Sequence, residues 1–214
     1  MIPEKAFRSI ASILAFALDE PCPRPQNLGL VATHSKHDAK MVEQALGTVV
    51  AAIIRRHHQT ARLLLLGIAN GGIVLTNRLA QRLRAEGLVC GTGTIDISFH
   101  RDDIGRQPIP KEFSPTIIPH DVNGAAVILV DDVVYSGRTV KAALDELFDH
   151  GRPDTVELAV LVDRGGRRLP IAPDYCGLKF EGTPAQKVRV HLDPTQSTKD
   201  LITIESAPAK YSPV

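Results

Sequence analysis

Two adjacent carboxylates, Asp131 and Asp132, follow four apolar residues, Val127-Ile128-Leu129-Val130, and run into Val133-Val134-Tyr135-Ser136-Gly137-Arg138-Thr139. Paired carboxylates can accept hydrogen bonds from neighbouring hydroxyls and favour a developing positive charge nearby. The hydroxyls of Ser136 and Thr139 add donors, and Gly137 lets the backbone come close to a bound group. A helix opening directly after such a loop offers unpaired amides and partial positive charge to an anion. No Walker lysine follows, which excludes a P-loop nucleotide triphosphatase. Acids that suit paired ribose hydroxyls, beside a loop that suits a phosphate, describe a cradle for a ribose 5-phosphate.

The flanking elements must hold these groups in place. Val140, Ala143, Leu144, Leu147 and Phe148 fall on one helical face, and Gly151 with Pro153 stops that helix. The apolar run before Asp131 reads as a strand buried on both faces, and ligands in open α/β sheets bind beyond the carboxyl ends of such strands. Val42, Leu46, Val49, Val50, Ile53 and Ile54 give a helix over 38–58 with Arg55-Arg56 at its C-terminal end. Leu63–Ile68 and Val156–Asp163 read as buried strands, 73–86 as a helix ending at Gly87, and 88–99 as an alternating strand. Short β segments are expected around Tyr175–Phe180, Lys187–Leu192 and Leu201–Glu205. Strands alternating with helices predict an α/β fold, a parallel sheet flanked by helices, with the C-terminal β-rich piece as a small cap.

Three further segments carry candidate chemistry. Gly67-Ile68-Ala69-Asn70-Gly71-Gly72 ends a strand and precedes a helix, so its amides can receive a second anion; a turn serving only the fold is the other reading. Arg101-Asp102-Asp103 opens a polar stretch to Pro115 that includes Arg106 and Lys111. A loop of that length is usually functional or disordered, and a solvated charged loop is the alternative. Val162-Asp163-Arg164-Gly165-Gly166 ends a strand on the same sheet edge as the acid pair. It could hold a planar base, or be a surface ion pair of little consequence. Gly91-Thr92-Gly93 lacks the third glycine of a dinucleotide fingerprint. His57-His58 lies outside any metal-binding spacing and reads as solvated.

Composition bounds the class. The chain of 214 residues suits one α/β core with a small appendage, and its formal net charge of +1 implies no global attraction to nucleic acid. The three cysteines, at 22, 90 and 176, form no C-x-x-C pair, which favours neither a zinc site nor a disulfide framework and makes a reducing cytoplasm the expected location. No apolar run reaches membrane-spanning length.

The segments GIANGGIVLTNRLAQRL (67–83), GTIDISFHRDD (93–103), VILVDDVVYSGRT (127–139) and DELFDHGRP with LAVLVDRGGRRLPIAPDYCG occur in an order that resembles the type I phosphoribosyltransferases, most nearly the PyrR family of pyrimidine operon regulators. The likeness spans roughly Asp38 to Glu205, giving an extension (1–37), a transferase domain with its hood (38–205) and a tail (206–214). It implies the type I phosphoribosyltransferase fold and transfer of a phosphoribosyl group from phosphoribosyl pyrophosphate (PRPP) to uracil, forming UMP, with Mg2+ carried by the substrate. In that scheme Asp131, Asp132 and Arg101 act in catalysis, and Val133 to Thr139 bind the 5-phosphate. Ala69, Asn70, Gly71 and Gly72 face pyrophosphate, with Ala69 standing where many relatives place a basic residue. Val162, Asp163, Arg164 and Val188 meet the base, and the segment with Asp102, Asp103, Arg106 and Lys111 is a flexible loop that closes over the substrate.

The resemblance also implies a second class of function, a UMP-sensing regulator that binds a pyr messenger leader. Against it, Gly165-Gly166, Ala172 and Leu178 stand where relatives often carry histidine, arginine and lysine, although Arg167, Arg168 and Lys179 lie nearby. Transfer to another nucleobase is a further alternative, because the ribose-phosphate loop does not read the base. In the extension, Phe7, Ile10, Ala11, Leu14 and Leu18 mark one helical face and Ile13, Phe16 and Ala17 the other, so the segment reads as an interface helix rather than a secretory signal. The Pro-Cys-Pro-Arg-Pro stretch at 21–25 reads as a stiff linker, and a homo-oligomer, a dimer or larger, is expected.

Overall fold

In the computed structural model, residues 26–27, 34–98, 115–183 and 185–206 are described. Six parallel strands form the main sheet: β1 (Gln26–Asn27), β3 (Leu63–Ile68), β4 (Gly91–Ile95), β5 (Ala126–Val134), β6 (Thr155–Asp163) and β7 (Tyr175–Lys179), in the order β1-β7-β6-β5-β3-β4. A second, antiparallel sheet of three strands is the hood: β2 (His34–His37), β8 (Gln186–His191) and β9 (Leu201–Ser206), in the order β2-β9-β8. The hood thus takes one strand from upstream of the first long helix. The third expected cap segment, Tyr175–Lys179, instead pairs in parallel with β6 in the main sheet.

The four leucines that open β3 show why this sheet is covered on both sides. Leu63 and Leu65 enter one apolar cluster, while Leu64 and Leu66 enter the other. Strand residues alternate between faces, so a run without polar interruption fits only a sheet with two buried faces. On the first face lie α1 (Ala39–His57) and α2 (Ala69–Ala85), supplying Val42, Leu46, Val49, Leu75, Leu79 and Leu83. On the second lies α3 (Arg138–His150), with Val140, Ala143 and Leu147. Asp38 caps α1 by accepting a hydrogen bond from the Met41 amide at 3.2 Å, which satisfies one of the helix's orphan donors.

Two element boundaries change. The strand expected over 88–99 is confined to Gly91–Ile95, because Asp96 turns its side chain back onto the Ser98 amide (3.0 Å), a local bond that competes with strand pairing. The helix expected from residue 73 begins four residues earlier, at Ala69, so the glycine-rich segment is its first turn.

His57, read as solvated, is buried instead. Its Nε2 lies 2.7 Å from Glu157 Oε2 on β6, and its Nδ1 lies 3.0 Å from Thr60 Oγ1. The Tyr175 hydroxyl donates to the same Glu157 oxygen at 2.5 Å, and Arg56 Nη2 approaches the other at 2.7 Å. Burial and the Glu157 carboxylate push the Tyr175 phenol well above its ordinary range, so tyrosine remains the donor. This network clamps the end of α1 to the amino-terminal half of β6, away from the acid pair. Glu157→Ala is expected to lower stability by about 3–5 kcal/mol, because it leaves buried partners uncompensated. Urea denaturation measures the loss, and an unchanged midpoint would rule out the clamp.

Candidate active site

Strand β5 runs two residues past the acid pair, so Val133 and Val134, expected in the phosphate loop, are strand residues paired with Val162 and Asp163 of β6. The loop itself is Tyr135-Ser136-Gly137, and α3 opens at Arg138. Gly137 has φ +89°, a left-handed conformation that costs an L-residue roughly 1–2 kcal/mol. Its position against Leu169 and Ile171 leaves a side chain little room.

Asp131 is 6 % exposed, whereas Asp132 is half-buried and looks into an open cavity of about 500 Å³ between the sheet edge and the hood. Each acid is steadied by a local amide: Asp131 Oδ1 accepts from Asp132 N at 3.0 Å, and Asp132 Oδ1 from Val133 N at 2.8 Å. Burial holds the Asp131 carboxyl well above its usual range, and the neighbouring Asp132 charge adds to this. Burial also raises Asp132, against the amide hydrogen bond from Val133. Two acids this close disfavour each other's charge, and a cation placed beside them would favour the charged forms.

The first turn of α2 packs directly on this pair. A methyl group at Gly71 would stand 2.6 Å from the Asp132 carboxyl carbon, and one at Gly72 would stand 2.2 Å from the Val130 carbonyl oxygen. Only glycines allow the helix N-terminus, with its inward-facing amides, to approach β5 this closely. Ala69 enters the turn with φ +47°, a strained conformation for a residue bearing a Cβ. Strain of that kind concentrates where a backbone is shaped for a ligand.

At the neighbouring strand end, Asp163 Oδ1 accepts from Gly165 N at 2.8 Å and from Arg167 Nη2 at 2.7 Å. The Arg164 guanidinium lies 3.8 Å from the centre of the Tyr135 ring and donates through Nε to the Gln186 carbonyl at 2.9 Å. It therefore joins Tyr135 of the 135–137 loop to the first residue of hood strand β8. Val188 packs on the core and lines the cavity with Val133. Val162 is fully buried, so its side chain offers the cavity nothing.

The structure thus gathers Asp132, Val133 and Val188 around one cavity. The loop 135–137 adjoins it through β5, and the glycine turn 69–72 adjoins it through Gly71. Arg101, Asp102, Asp103, Arg106 and Lys111 lie outside the described residues, as does the side chain of Asn70. Arg189 and His191 also line the cavity and were not singled out in the sequence. Their strand alternates regularly and carries no motif, so only the folded hood reveals them. Among the described residues no group of three or more histidine, cysteine or acidic side chains could hold a metal ion. No helix among them is long and apolar enough to cross a membrane.

A parallel sheet whose central strand ends in paired acids and a hydroxyl-bearing loop, with a separate hood, defines a type I phosphoribosyltransferase. A family model described as phosphoribosyl transferase domain matches residues 37–195. The chain is 41 % identical over 171 residues to the bifunctional protein PyrR of Halalkalibacterium halodurans, covering 78 % of this chain and 94 % of that one. It is 44 % identical over 159 residues to bifunctional protein PyrR 1 of Lactiplantibacillus plantarum, covering 73 % and 88 %. Among solved structures, it is similar to the hypoxanthine phosphoribosyltransferase of Trypanosoma cruzi, with TM-score 0.57 and 19 % identity over 79 % of this chain and 94 % of that one. A hypoxanthine-guanine phosphoribosyltransferase from Bacillus anthracis gives TM-score 0.54 and 17 % identity over 73 % and 88 %. The chain belongs to the phosphoribosyltransferase family, in its PyrR branch.

Proposed function

We propose that the protein transfers the 5-phosphoribosyl group of PRPP to N1 of uracil, giving UMP and pyrophosphate. The observation that carries this reading is the half-buried Asp132 facing a hood-covered cavity, one strand turn from an anion loop. The choice of uracil rests on the PyrR relatives.

In this reading the bond from C1 of the sugar to pyrophosphate breaks as N1 of uracil forms its own bond to C1, and the proton N1 gives up passes to water or to the departing pyrophosphate. Positive charge develops on the sugar, so the enzyme works by positioning and electrostatics. Asp131 and Asp132 hold the ribose hydroxyls and stabilise that charge. The segment 133–139 holds the 5-phosphate, chiefly through Ser136, Gly137, Arg138 and Thr139. Residues 69–72 and Arg101 receive pyrophosphate, while the segment with Asp102, Asp103, Arg106 and Lys111 closes over the site. Val162 and Asp163, through backbone and carboxylate, and Val188 hold the base, and Arg164 steadies their surroundings. Mg2+, held by the hard oxygens of PRPP rather than by a protein cluster, would supply charge neutralisation at the pyrophosphate. The protein works in the cytoplasm as a homo-oligomer.

A second role in binding a messenger leader is less well supported. Leu178, where a cation would serve RNA, is fully buried, and Arg167 points inward. Incubation with PRPP, Mg2+ and labelled uracil, hypoxanthine, guanine or orotate tests the reading. Product from uracil alone is expected. Faster turnover of a purine would overturn the choice of base, and no turnover of any base would overturn transfer itself.

A further inference from the structure

The proposed reaction leaves Arg167 unused, yet its side chain is bonded to three parts of the site's scaffold. Its side chain is 20 % exposed, and all three nitrogens are directed inward. Nε donates to the Ile171 carbonyl at 2.9 Å, Nη1 to the Tyr135 carbonyl at 2.8 Å, and Nη2 to Asp163 Oδ1 at 2.7 Å. Nη1 also lies 3.4 Å from the Val134 carbonyl.

These acceptors belong to different parts of the site. Val134 and Tyr135 form the exit of β5 into the anion loop, Asp163 ends β6, and Ile171 lies on the segment that packs against Gly137. The same segment reinforces the loop from its backbone, since the amides of Arg168 and Leu169 donate to the Ser136 carbonyl at 3.0 and 3.2 Å. The carbonyls of Tyr135 and Ser136 are thus both held by the segment 167–169. A planar guanidinium with a fixed fork of donors suits this task, whereas a lysine ammonium cannot reach three separated acceptors with one geometry.

We infer that Arg167 is a positioning residue that holds the 135–137 loop in its phosphate-accepting shape and ties it to the base-side residue Asp163. This inference rests on the phosphoribosyl-transfer reading, and it makes Arg167 a part of PRPP affinity rather than a surface cation. Removing the guanidinium frees the Tyr135 carbonyl, while the Val134 carbonyl keeps its bond from the Arg164 amide at 3.0 Å, and lets the loop sample shapes that do not accept phosphate.

The test is direct titration of wild type, Arg167→Lys and Arg167→Ala with PRPP and Mg2+, alongside steady-state kinetics and thermal melting. Arg167→Ala is expected to weaken PRPP binding and raise its KM by roughly 10-fold or more, as for loss of hydrogen bonds from a charged group. The KM for uracil should change far less. Arg167→Lys should recover little, and millimolar guanidinium, but not ammonium, should restore part of the PRPP affinity of Arg167→Ala. PRPP affinity equal to wild type in the alanine variant overturns the inference while leaving the functional reading intact. So does a uniform loss in all parameters that follows the melting temperature. If Arg167→Ala does not fold, full PRPP affinity in Arg167→Lys overturns it. Absence of PRPP binding by the wild type overturns the functional reading, and this inference with it.

Discussion

Asp132→Asn is expected to lower kcat by about 10²–10³-fold, the scale for losing one preorganised electrostatic contact at a reacting centre. The substitution keeps the side chain's shape, and its amide oxygen can still accept from the Val133 amide as Oδ1 now does at 2.8 Å. What disappears is a negative charge facing the cavity, which in the proposed reaction opposes the cation forming at the sugar. Affinity for PRPP should fall less than turnover, because the proposed 5-phosphate contacts lie on the loop beyond the strand. Stability should move the other way. Burial raises both carboxyls above their unfolded values, so their favourable contribution is complete below the ordinary carboxylate range. It is lost as pH rises through the elevated folded values. At neutral pH the free enzyme therefore carries a buried charge at a cost, and Asp132→Asn should melt higher than wild type. That advantage should shrink toward acid pH, where both forms are neutral. Calorimetry at neutral and acid pH, with single-turnover kinetics, checks both halves; an active Asp132→Asn enzyme would remove Asp132 from the mechanism.

The difference between the two acids is physical, and the sequence alone does not express it. In Val127–Thr139 the order of apolar run, acids, hydroxyl loop and helix face is legible because each depends on local chemistry: strand burial, amide donors and helical spacing. Which carboxylate lines the cavity depends on the hood, whose strands β2, β8 and β9 come from distant parts of the chain. The same reason hides Arg189 and His191, whose place at the cavity is set by β8 lying across from β5. His57 illustrates another limit. Two histidines after a helix read as polar ends, but Glu157, 100 residues on, supplies a buried partner that no local pattern announces. Arg167 sits in a run of charges that resembles a solvated turn, and only the carbonyls beneath it give its orientation a meaning. The glycine turn was legible as a strand-to-helix junction. Its helical geometry was not, because Ala69 enters at φ +47° and the helix starts within what reads as loop.

Gly72→Ala should have the largest effect on folding of any single methyl group added at the site. A Cβ there would lie 2.2 Å from the Val130 carbonyl oxygen and 3.2 Å from its carbon, and both are backbone atoms of the central strand. A flexible side chain could move aside, but Val130 is fully buried, and β5 is paired to β3 and β6 on either side. The helix must therefore withdraw. Leu75 and Leu79, both essentially inaccessible, would lift from the core with it. The expected loss is about 4–5 kcal/mol or more, the range that marks exceptional substitutions. Withdrawal would also separate the first turn of α2 from Asp132, so any folded fraction should bind pyrophosphate poorly. Gly47→Ala is the control, since a methyl group at that helical glycine meets nothing within 4 Å and should be neutral or mildly stabilising. Denaturant titration of the two variants separates close packing from a general intolerance of alanine. Equal stability would mean that the first turn of α2 does not press on β5, and the amides of 69–72 would then have no fixed relation to the acid pair.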